Sequence, residues 1–175
     1  MPKINETTLR KYLITLLETP RIKSFIAQIE ERKGCRPNGI YRPMWGFVRH
    51  NTDGSLEYPR MLFKEKIYDA IYAGVAHTSV SMDIAKWILQ DADEARGVVR
   101  HELAHLLHSF SSTGGTPHGK EYRAVLKIIA PKTWRRDRHW HPNPAIEKAR
   151  LKVHPKSKRM TTIQIGDGIT EADLT

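Results

Sequence analysis

The sequence has a single cysteine, Cys35, among its 175 residues. One thiol excludes an intramolecular disulfide, and it also excludes a zinc ribbon built from four cysteines. A chain that uses neither device is typical of a reducing, intracellular compartment. We therefore interpret Cys35 as an incidental thiol near a turn.

Long apolar runs are also missing. No stretch approaches the roughly 20 apolar residues that a transmembrane helix requires. The first residues, Met-Pro-Lys-Ile-Asn-Glu, lack the apolar core of a signal peptide. These absences predict an intracellular protein, cytoplasmic or nucleoid-associated, that has no membrane partner.

Acidic residues are scarce relative to basic ones. The formal net charge is +10, and the stretch from residue 131 to residue 160 sets ten basic residues against only Asp137 and Glu147. Such an excess favours a polyanionic partner, nucleic acid first, because Lys and Arg neutralise phosphates and release their counterions. We read 131–175 as a basic C-terminal extension, disordered towards its polar end, that follows a domain over 1–130.

Tryptophans lie between the arginines of this stretch, so bases could stack on them as in complexes with single-stranded nucleic acid. The alternative is a solvated tail whose tryptophans pack back onto the domain, with Trp134 the closer of the two to the core. The residues predicted to contact nucleic acid are Trp134, Arg135, Arg136, Arg138, Trp140, Lys156, Lys158 and Arg159.

The strongest local pattern is His-Glu-Leu-Ala-His at residues 101–105. Two histidines spaced i, i+4 lie on one face of a helix, from which their nitrogens can converge on one zinc ion. Glu102 is then placed to deprotonate a water molecule that the ion activates. The pattern predicts one bound Zn²⁺.

The surrounding sequence predicts that this pattern lies on a helix over about 93–110. Asp91 and Glu94 have the spacing of a capping box before it. Val99, Leu103, Leu106 and Phe110 share one helix face, and three histidines, His101, His105 and His108, share the opposite face.

The third ligand is predicted to be His118, because a loop over 111–117 lets it approach from off the helix axis. His108 follows the same stripe as the first two histidines, and three ligands in a row cannot surround a tetrahedral ion. Glu121 on a later helix is the alternative, as in proteases whose third ligand is a glutamate.

Elsewhere, apolar periodicity predicts helices over 6–18 and from Pro20 to about Gly34, the second with Thr19 as its N-cap. Strands are expected at 40–41, 45–48, 58–63 and 76–82, with a hairpin turn at 51–55 and a short helix over 84–88. The stretch 67–72 fits either a strand or a helical turn. A helix is predicted over 120–129.

The motif together with His118-Gly119-Lys120-Glu121-Tyr122 resembles the SprT-like zinc metallopeptidases, the group that includes Spartan. The similarity covers about 76–130. It implies an α+β, zincin-like fold in which a small mixed or antiparallel sheet lies beside the HExxH helix, after N-terminal helices. It also implies that His101, His105 and His118 are ligands, that Glu102 is the general base, and that the reaction is hydrolysis of peptide bonds.

In several members of that group the protein substrates are attached to DNA, so the resemblance implies a protein substrate and a DNA partner. One feature departs from bacterial relatives, which commonly add a cysteine zinc ribbon. DNA contact here would need another element. Two other readings remain: a DNA-binding protein with a structural zinc and no turnover, and a regulatory HExxH peptidase that cleaves one specific protein.

Catalysis by such a site also needs a donor for the developing oxyanion. Tyr122, His108, His77 and His139 are the candidates, and Tyr122 and His108 could instead support the ligands from a second layer. The strand over 77–82 could pair with an extended substrate, or it could be an inner strand of the sheet.

Overall fold

The computed structural model describes residues 2–34, 49–50, 56–57, 59–68, 72–77, 81–111, 116–138, 143–153 and 155. Within this part the chain forms six α-helices and a small mixed sheet, which confirms the predicted α+β class and is compatible with a zincin-like fold. The helices are α1 (Glu6–Leu17), α2 (Pro20–Gly34), α3 (Ala92–Ser111), α4 (Lys120–Ile129), α5 (Trp134–Arg138) and α6 (Pro144–Val153). The strands are β1 (Arg49–His50), β2 (Leu56–Glu57), β3 (Arg60–Lys64), β4 (Gly74–His77) and β5 (Ser81–Ala85).

The two N-terminal helices form where the apolar periodicity predicts them. Asn5 caps α1, since its side-chain oxygen accepts a hydrogen bond from the Thr8 N–H at 2.8 Å. Pro20 is the first residue of α2. Thr19 stands at the predicted N-cap position, since its carbonyl accepts hydrogen bonds from the Ile22 and Lys23 N–H groups at 3.0 Å. Its hydroxyl donates to the carbonyl of Leu16 at 2.7 Å, at the end of α1.

The sheet that carries the site has the strand order β3-β5-β4. β5 is central, parallel to β3 and antiparallel to β4. Its core face is apolar, with Met82 and Ile84 fully buried. β1 and β2 pair antiparallel on either side of the predicted turn, as a hairpin requires, although residues 51–55 themselves lie outside the described residues.

The prediction of one strand over 76–82, ended by Asp83, is wrong. His77 and Ser81 are paired partners in antiparallel strands, so the chain reverses direction between them. Asp83 lies in the middle of β5, opposite Leu62 and Val75. The predicted helix over 84–88 is a 3₁₀ helix, Lys86–Gln90, that begins after the strand.

The remaining strand predictions fall partly within the described residues. The strands expected at 40–41 and 45–48 lie outside the described residues. The strand expected at 58–63 is β3, which begins at Arg60. Of the undecided stretch, Ile67 and Tyr68 form a bend and a turn, and 69–71 lie outside the described residues.

Helix α3 runs through the middle of the packed elements, with the sheet, α1, α4 and α5 around it. Asp91 caps it as predicted, because Oδ1 accepts hydrogen bonds from the N–H groups of Asp93 at 2.9 Å and Glu94 at 3.2 Å. Val99 and Leu103 are fully buried on the predicted core face. The histidine face is covered as well, since His101 is only 2% exposed.

The chain beyond residue 130 forms α5 and α6, and both pack onto the rest of the fold. α5 contacts α3 and α4, and α6 contacts the 3₁₀ helix. Ile146 and Arg150 of α6 are completely buried. The division into a domain over 1–130 and an extension over 131–175 stays a prediction. Among the described residues, none of the helices has the length and apolarity needed to cross a membrane.

Candidate metal centre

Three histidines converge at the centre of the fold. His101 and His105 come from successive turns of α3, and His118 comes from the turn that precedes α4. Their Nε2 atoms lie 3.0 Å (His105 to His101), 3.1 Å (His118 to His105) and 3.3 Å (His118 to His101) apart. Among the described residues this is the one group of three or more metal-binding side chains that could hold an ion.

Local sequence sets the position of His118. The Gly119 N–H donates to the carbonyl of Thr116 at 3.0 Å, which closes a tight turn immediately before α4. A side chain on Gly119 would bring a Cβ within 2.7 Å of the Thr116 hydroxyl oxygen. Glycine at this position therefore lets the turn deliver His118 from off the axis of α3.

The donor set fits a metal ion. A tetrahedral ion with bonds of roughly 2.0–2.1 Å to nitrogen separates its ligand atoms by about 3.3–3.4 Å, close to the observed distances. The His101 Nδ1 lies 2.8 Å from the carbonyl oxygen of Asp137, an acceptor that requires the proton to be on Nδ1. The Nε2 of His101 therefore carries the lone pair with which this ring can bind a cation.

Electrostatics keep the site in the form that binds metal. Burial, followed by the neighbouring His101, His118 and His108, lowers the pKa of His105 well below its ordinary value. A neutral imidazole is the form that coordinates a metal. His105 is therefore held in the uncharged form that can bind a metal ion.

Glu102 lies beside the triad and is almost completely buried, with 4% of its surface exposed. β4 passes very close to it: a Cβ on Gly74 would meet Glu102 Cγ at 2.8 Å and Oε1 at 2.9 Å. The Ala76 main-chain N–H also donates a hydrogen bond to the carboxylate. Any side chain at position 74 would displace Glu102, a constraint that the sequence analysis missed.

The pairing of β4 with β5 explains why the Ala76 N–H can donate to Glu102 rather than to β5. The Ala85 N–H donates to the carbonyl of Ala73, so alternate pairs along the two strands share hydrogen bonds. Gly74 and Ala76 fall in the other set, whose peptide groups point away from β5. The edge of β4 that has no strand partner among the described residues therefore faces Glu102.

Burial raises the pKa of the Glu102 carboxyl to about 8, and the hydrogen bond from Ala76 opposes part of that rise. In the metal-free chain a proton is therefore bound to the folded state and released by the unfolded state between about pH 4.5 and pH 8. The free energy of unfolding falls as pH rises through this window.

The variant Glu102→Gln should consequently be more stable than the wild type at pH 8 when both are metal-free. A rise from 4.5 to about 8 corresponds to a difference of roughly 3–5 kcal/mol, which shrinks towards zero near pH 4.5. Urea unfolding of both proteins at pH 5 and pH 8, with chelator present, measures this difference in the free energy of unfolding. An equal difference at the two pH values would contradict the buried-carboxyl explanation.

Tyr122 lies behind His101 rather than in front of the triad. Its hydroxyl oxygen is 2.8 Å from His101 Nδ1, and the hydroxyl donates to the main-chain carbonyl of His101 at 3.4 Å. The side chain is fully buried, and burial followed by the charges of Glu102 and Asp137 raises its pKa well above the ordinary value. This placement suits the predicted support of His101, and the role of oxyanion donor stays a prediction.

The other candidates among the described residues do not belong to the converging group. His108 has a buried Nε2 without a hydrogen-bond partner, and it does not belong to the group that can hold an ion. His77 lies 3.2 Å from Asp83 and, because strand side chains alternate, points to the sheet face opposite Ala76. Glu121 is outside the group of described ligands, and His139 lies outside the described residues.

Sequence reasoning also missed Asp137, which it counted only as a minority charge in a basic stretch. Its side chain is completely buried and forms a two-pronged ion pair with Arg100, at 2.6 Å and 2.9 Å. Arg100 also donates to the Tyr12 hydroxyl at 2.8 Å. These residues are far apart in the chain, so no local pattern signals the contact.

The predicted nucleic-acid residues have different surroundings. Arg135 and Arg136 are exposed on α5, whereas Arg138 is half-buried. Trp134 packs against the core and has the Lys127 ammonium 4.5 Å from its ring centroid. Trp140, Lys156, Lys158 and Arg159 lie outside the described residues.

Comparison with known proteins gives one match. A family model described as the SprT-like family matches residues 50–141, which is more than half of the chain. Searches of the curated proteins and of the solved structures found no match to the chain.

Proposed function

The chain belongs to the SprT-like family, and from that premise we propose that it is a zinc-dependent metallopeptidase that hydrolyses peptide bonds in proteins associated with DNA. The observation that carries the proposal is the convergence of three histidine Nε2 atoms within 3.3 Å of one another, next to a buried glutamate. A structural zinc site closes with four protein ligands. The described residues offer three, which supports an open, catalytic position over a purely structural ion.

The chemistry follows from these groups. A zinc ion at such a site lowers the pKa of water towards about 7, polarises a substrate carbonyl and favours the ionised form of a nearby carboxyl. Glu102 would accept the proton of the attacking water and later donate it to the leaving amine. The Ala76 N–H holds the carboxylate in place for both transfers. The absence of a side chain on Gly74 leaves the space that the Glu102 side chain occupies.

The substrate would bind as an extended strand. β4 has a strand neighbour on one side only among the described residues. On its other edge the Ala76 N–H binds Glu102, so a peptide would pair with the remaining main-chain groups of that edge. An extended peptide can add to such an edge through main-chain hydrogen bonds. Only segments that are unfolded or poorly folded can adopt this conformation, so the proposed substrates are proteins with exposed, unstructured stretches.

The proposal of a DNA partner rests on charge and on the location of α5. The chain has a net charge of +10, and the exposed Arg135 and Arg136 lie on α5. The same helix supplies the Asp137 carbonyl that contacts His101. DNA bound by these arginines would lie beside the metal centre, where attached proteins are within reach. Because Trp134 is packed and contacts Lys127, we assign the contact to phosphates rather than to stacked bases.

The test is cleavage of unfolded casein by zinc-loaded protein, with and without single-stranded DNA. We expect cleavage that chelator abolishes and that DNA stimulates. DNA binding without cleavage would favour the structural-zinc alternative, and neither activity would favour a peptidase with one specific substrate.

The variant Arg135→Glu should reduce the stimulation by DNA and keep the basal cleavage. The reversed charge removes a phosphate contact, so DNA affinity should also depend less steeply on salt. Arg136 is left unchanged because its Nε lies 3.7 Å from Oδ1 of the buried Asp137. The matched control is Lys11→Glu, which makes the same change in net charge at an exposed position on another part of the fold. Equal loss of stimulation in both variants would point to overall charge and would contradict a local role of α5.

A further inference from the structure

The Asp137 carboxylate is a buried group bound mainly by Arg100 and Thr133, and the Arg136 Nε also lies 3.7 Å from its Oδ1. It lies on α5, and its side chain has no exposed surface. Arg100 donates to Oδ2 from Nε and to Oδ1 from a terminal nitrogen, and the Thr133 hydroxyl donates to Oδ2 at 2.7 Å. This two-pronged geometry fixes orientation as well as distance, because the guanidinium group is planar.

The partner, Arg100, is the residue next to His101 on α3. Its remaining terminal nitrogen donates to the Tyr12 hydroxyl of α1. Gly97, one turn earlier on α3, allows α5 to approach closely, since a Cβ there would be 3.2 Å from Asp137 Oδ1. The ion pair therefore ties α1, α3 and α5 together at the level of the metal centre.

The main-chain carbonyl of Asp137 contacts one of the three candidate metal ligands, His101. Carbonyl groups in the last turn of a helix have no partner within the helix, and Asp137 is in the last turn of the short α5. This free carbonyl accepts a hydrogen bond from His101 Nδ1 at 2.8 Å. A histidine that donates from Nδ1 must keep its lone pair on Nε2, the atom that faces His105 and His118.

We propose that Arg100 and Asp137 form a positioning pair: their ion pair fixes the Asp137 carbonyl, and the carbonyl sets the tautomer and ring orientation of His101 for metal binding. The inference rests on the metal site of the proposed function and adds the residues that tune its affinity. Partners that orient a ligating histidine typically contribute 10–100-fold in metal affinity. We assign an effect of that size to this pair.

The chain offers a matched control for a purely structural role. Arg150, which is fully buried, and the partly buried Glu147 form a second two-pronged ion pair on α6, at 2.7 Å and 3.0 Å. Both residues lie on α6, which packs against the 3₁₀ helix. Asp137→Asn and Glu147→Gln make the same chemical change in the two pairs, so they separate an effect on stability from an effect on the site.

The experiment uses the full chain and two readouts. Zinc affinity is measured by competition with a chromophoric chelator, and the tautomer of His101 is read from ¹⁵N chemical shifts of the metal-free protein. We expect both variants to be less stable, and only Asp137→Asn to bind zinc 10–100-fold more weakly and to lose the uniform Nδ1–H form of His101. Arg100→Lys keeps the charge but cannot donate the two parallel hydrogen bonds of a guanidinium group, so it should show an intermediate zinc affinity.

Three results would overturn the proposal. The first is an Nε2–H tautomer of His101 in the wild type. The second is an unchanged tautomer and zinc affinity in Asp137→Asn. The third is an equal loss of affinity in Glu147→Gln. Because the tautomer is read without metal, failure of the wild type to bind zinc would contradict the proposed function and remain distinguishable from failure of the positioning pair.

Discussion

The substitution Glu102→Gln should reduce the rate of casein cleavage by about 10²–10⁴-fold while the protein keeps its zinc. Glutamine has nearly the same shape as glutamate and can still accept the hydrogen bond that Ala76 donates to this buried position. It cannot accept a proton from water at neutral pH. None of the three histidines is altered, so the ligand set stays intact. The initial rate of cleavage tests the loss of activity, and the zinc content of the same preparation tests the retention of the metal.

The control is Glu121→Gln on α4, which changes another carboxylate close in sequence to His118. Its side chain is 26% exposed and does not belong to the described ligand group. We expect this variant to cleave casein at close to the wild-type rate. A Glu102→Gln protein with most of its activity, or an equal loss in Glu121→Gln, would remove Glu102 from the role of general base.

The substitution His118→Ala should lower zinc affinity by more than about 100-fold, beyond the range of partners that only orient a ligand. It leaves two nitrogens, both from α3, whose own separation is 3.0 Å. A catalytic zinc site uses three protein ligands, so two from one helix hold the ion poorly. Competition with a chelator gives the affinity, and casein cleavage should fall with it.

His108→Ala provides the comparison, since it removes a partly buried histidine from the same neighbourhood of the fold. His108 is three residues beyond His105 on α3 and does not belong to the converging group. We expect this variant to retain one zinc ion with an affinity near that of the wild type. If His108→Ala loses the metal and His118→Ala retains it, the third ligand is on α3 and the assignment of His118 is wrong.

The helix that carries the motif was predictable because its signals are local. Asp91 and Glu94 stand at capping distance, and Asp91 does accept the hydrogen bonds of the first turn. Apolar periodicity set the buried face, which includes Val99 and Leu103. The spacing of His101 and His105 follows from helix geometry alone. The burial of the histidine face did not follow, because it depends on α4 and α5 packing over it.

The sheet was predicted less well for a physical reason. Residues 76–82 have strand-forming character throughout and carry no glycine, proline, asparagine or aspartate to mark a turn before residue 83. The reversal between His77 and Ser81 is visible only in the pairing of β4 with β5. The local pattern therefore merged two antiparallel strands into one.

The contacts that support the site depend on residues distant in sequence. Asp137 reaches His101 across 36 residues, and Arg100 reaches Tyr12 across 88. Gly74 matters because α3 lies against it, and nothing near position 74 in the sequence indicates that. Charge counting grouped Asp137 with its basic neighbours, although a buried carboxylate needs a specific partner. The position of Asp137 directly between Arg136 and Arg138 was the one available signal.

The central claim is that His101, His105 and His118 hold one zinc ion. Native mass spectrometry of the full chain, purified without chelator and supplied with zinc, tests it most directly. We expect a single species with one zinc per chain, which a strong chelator reduces to the metal-free mass. A chain that stays metal-free under these conditions would contradict the metal centre and, with it, the proposed peptidase activity.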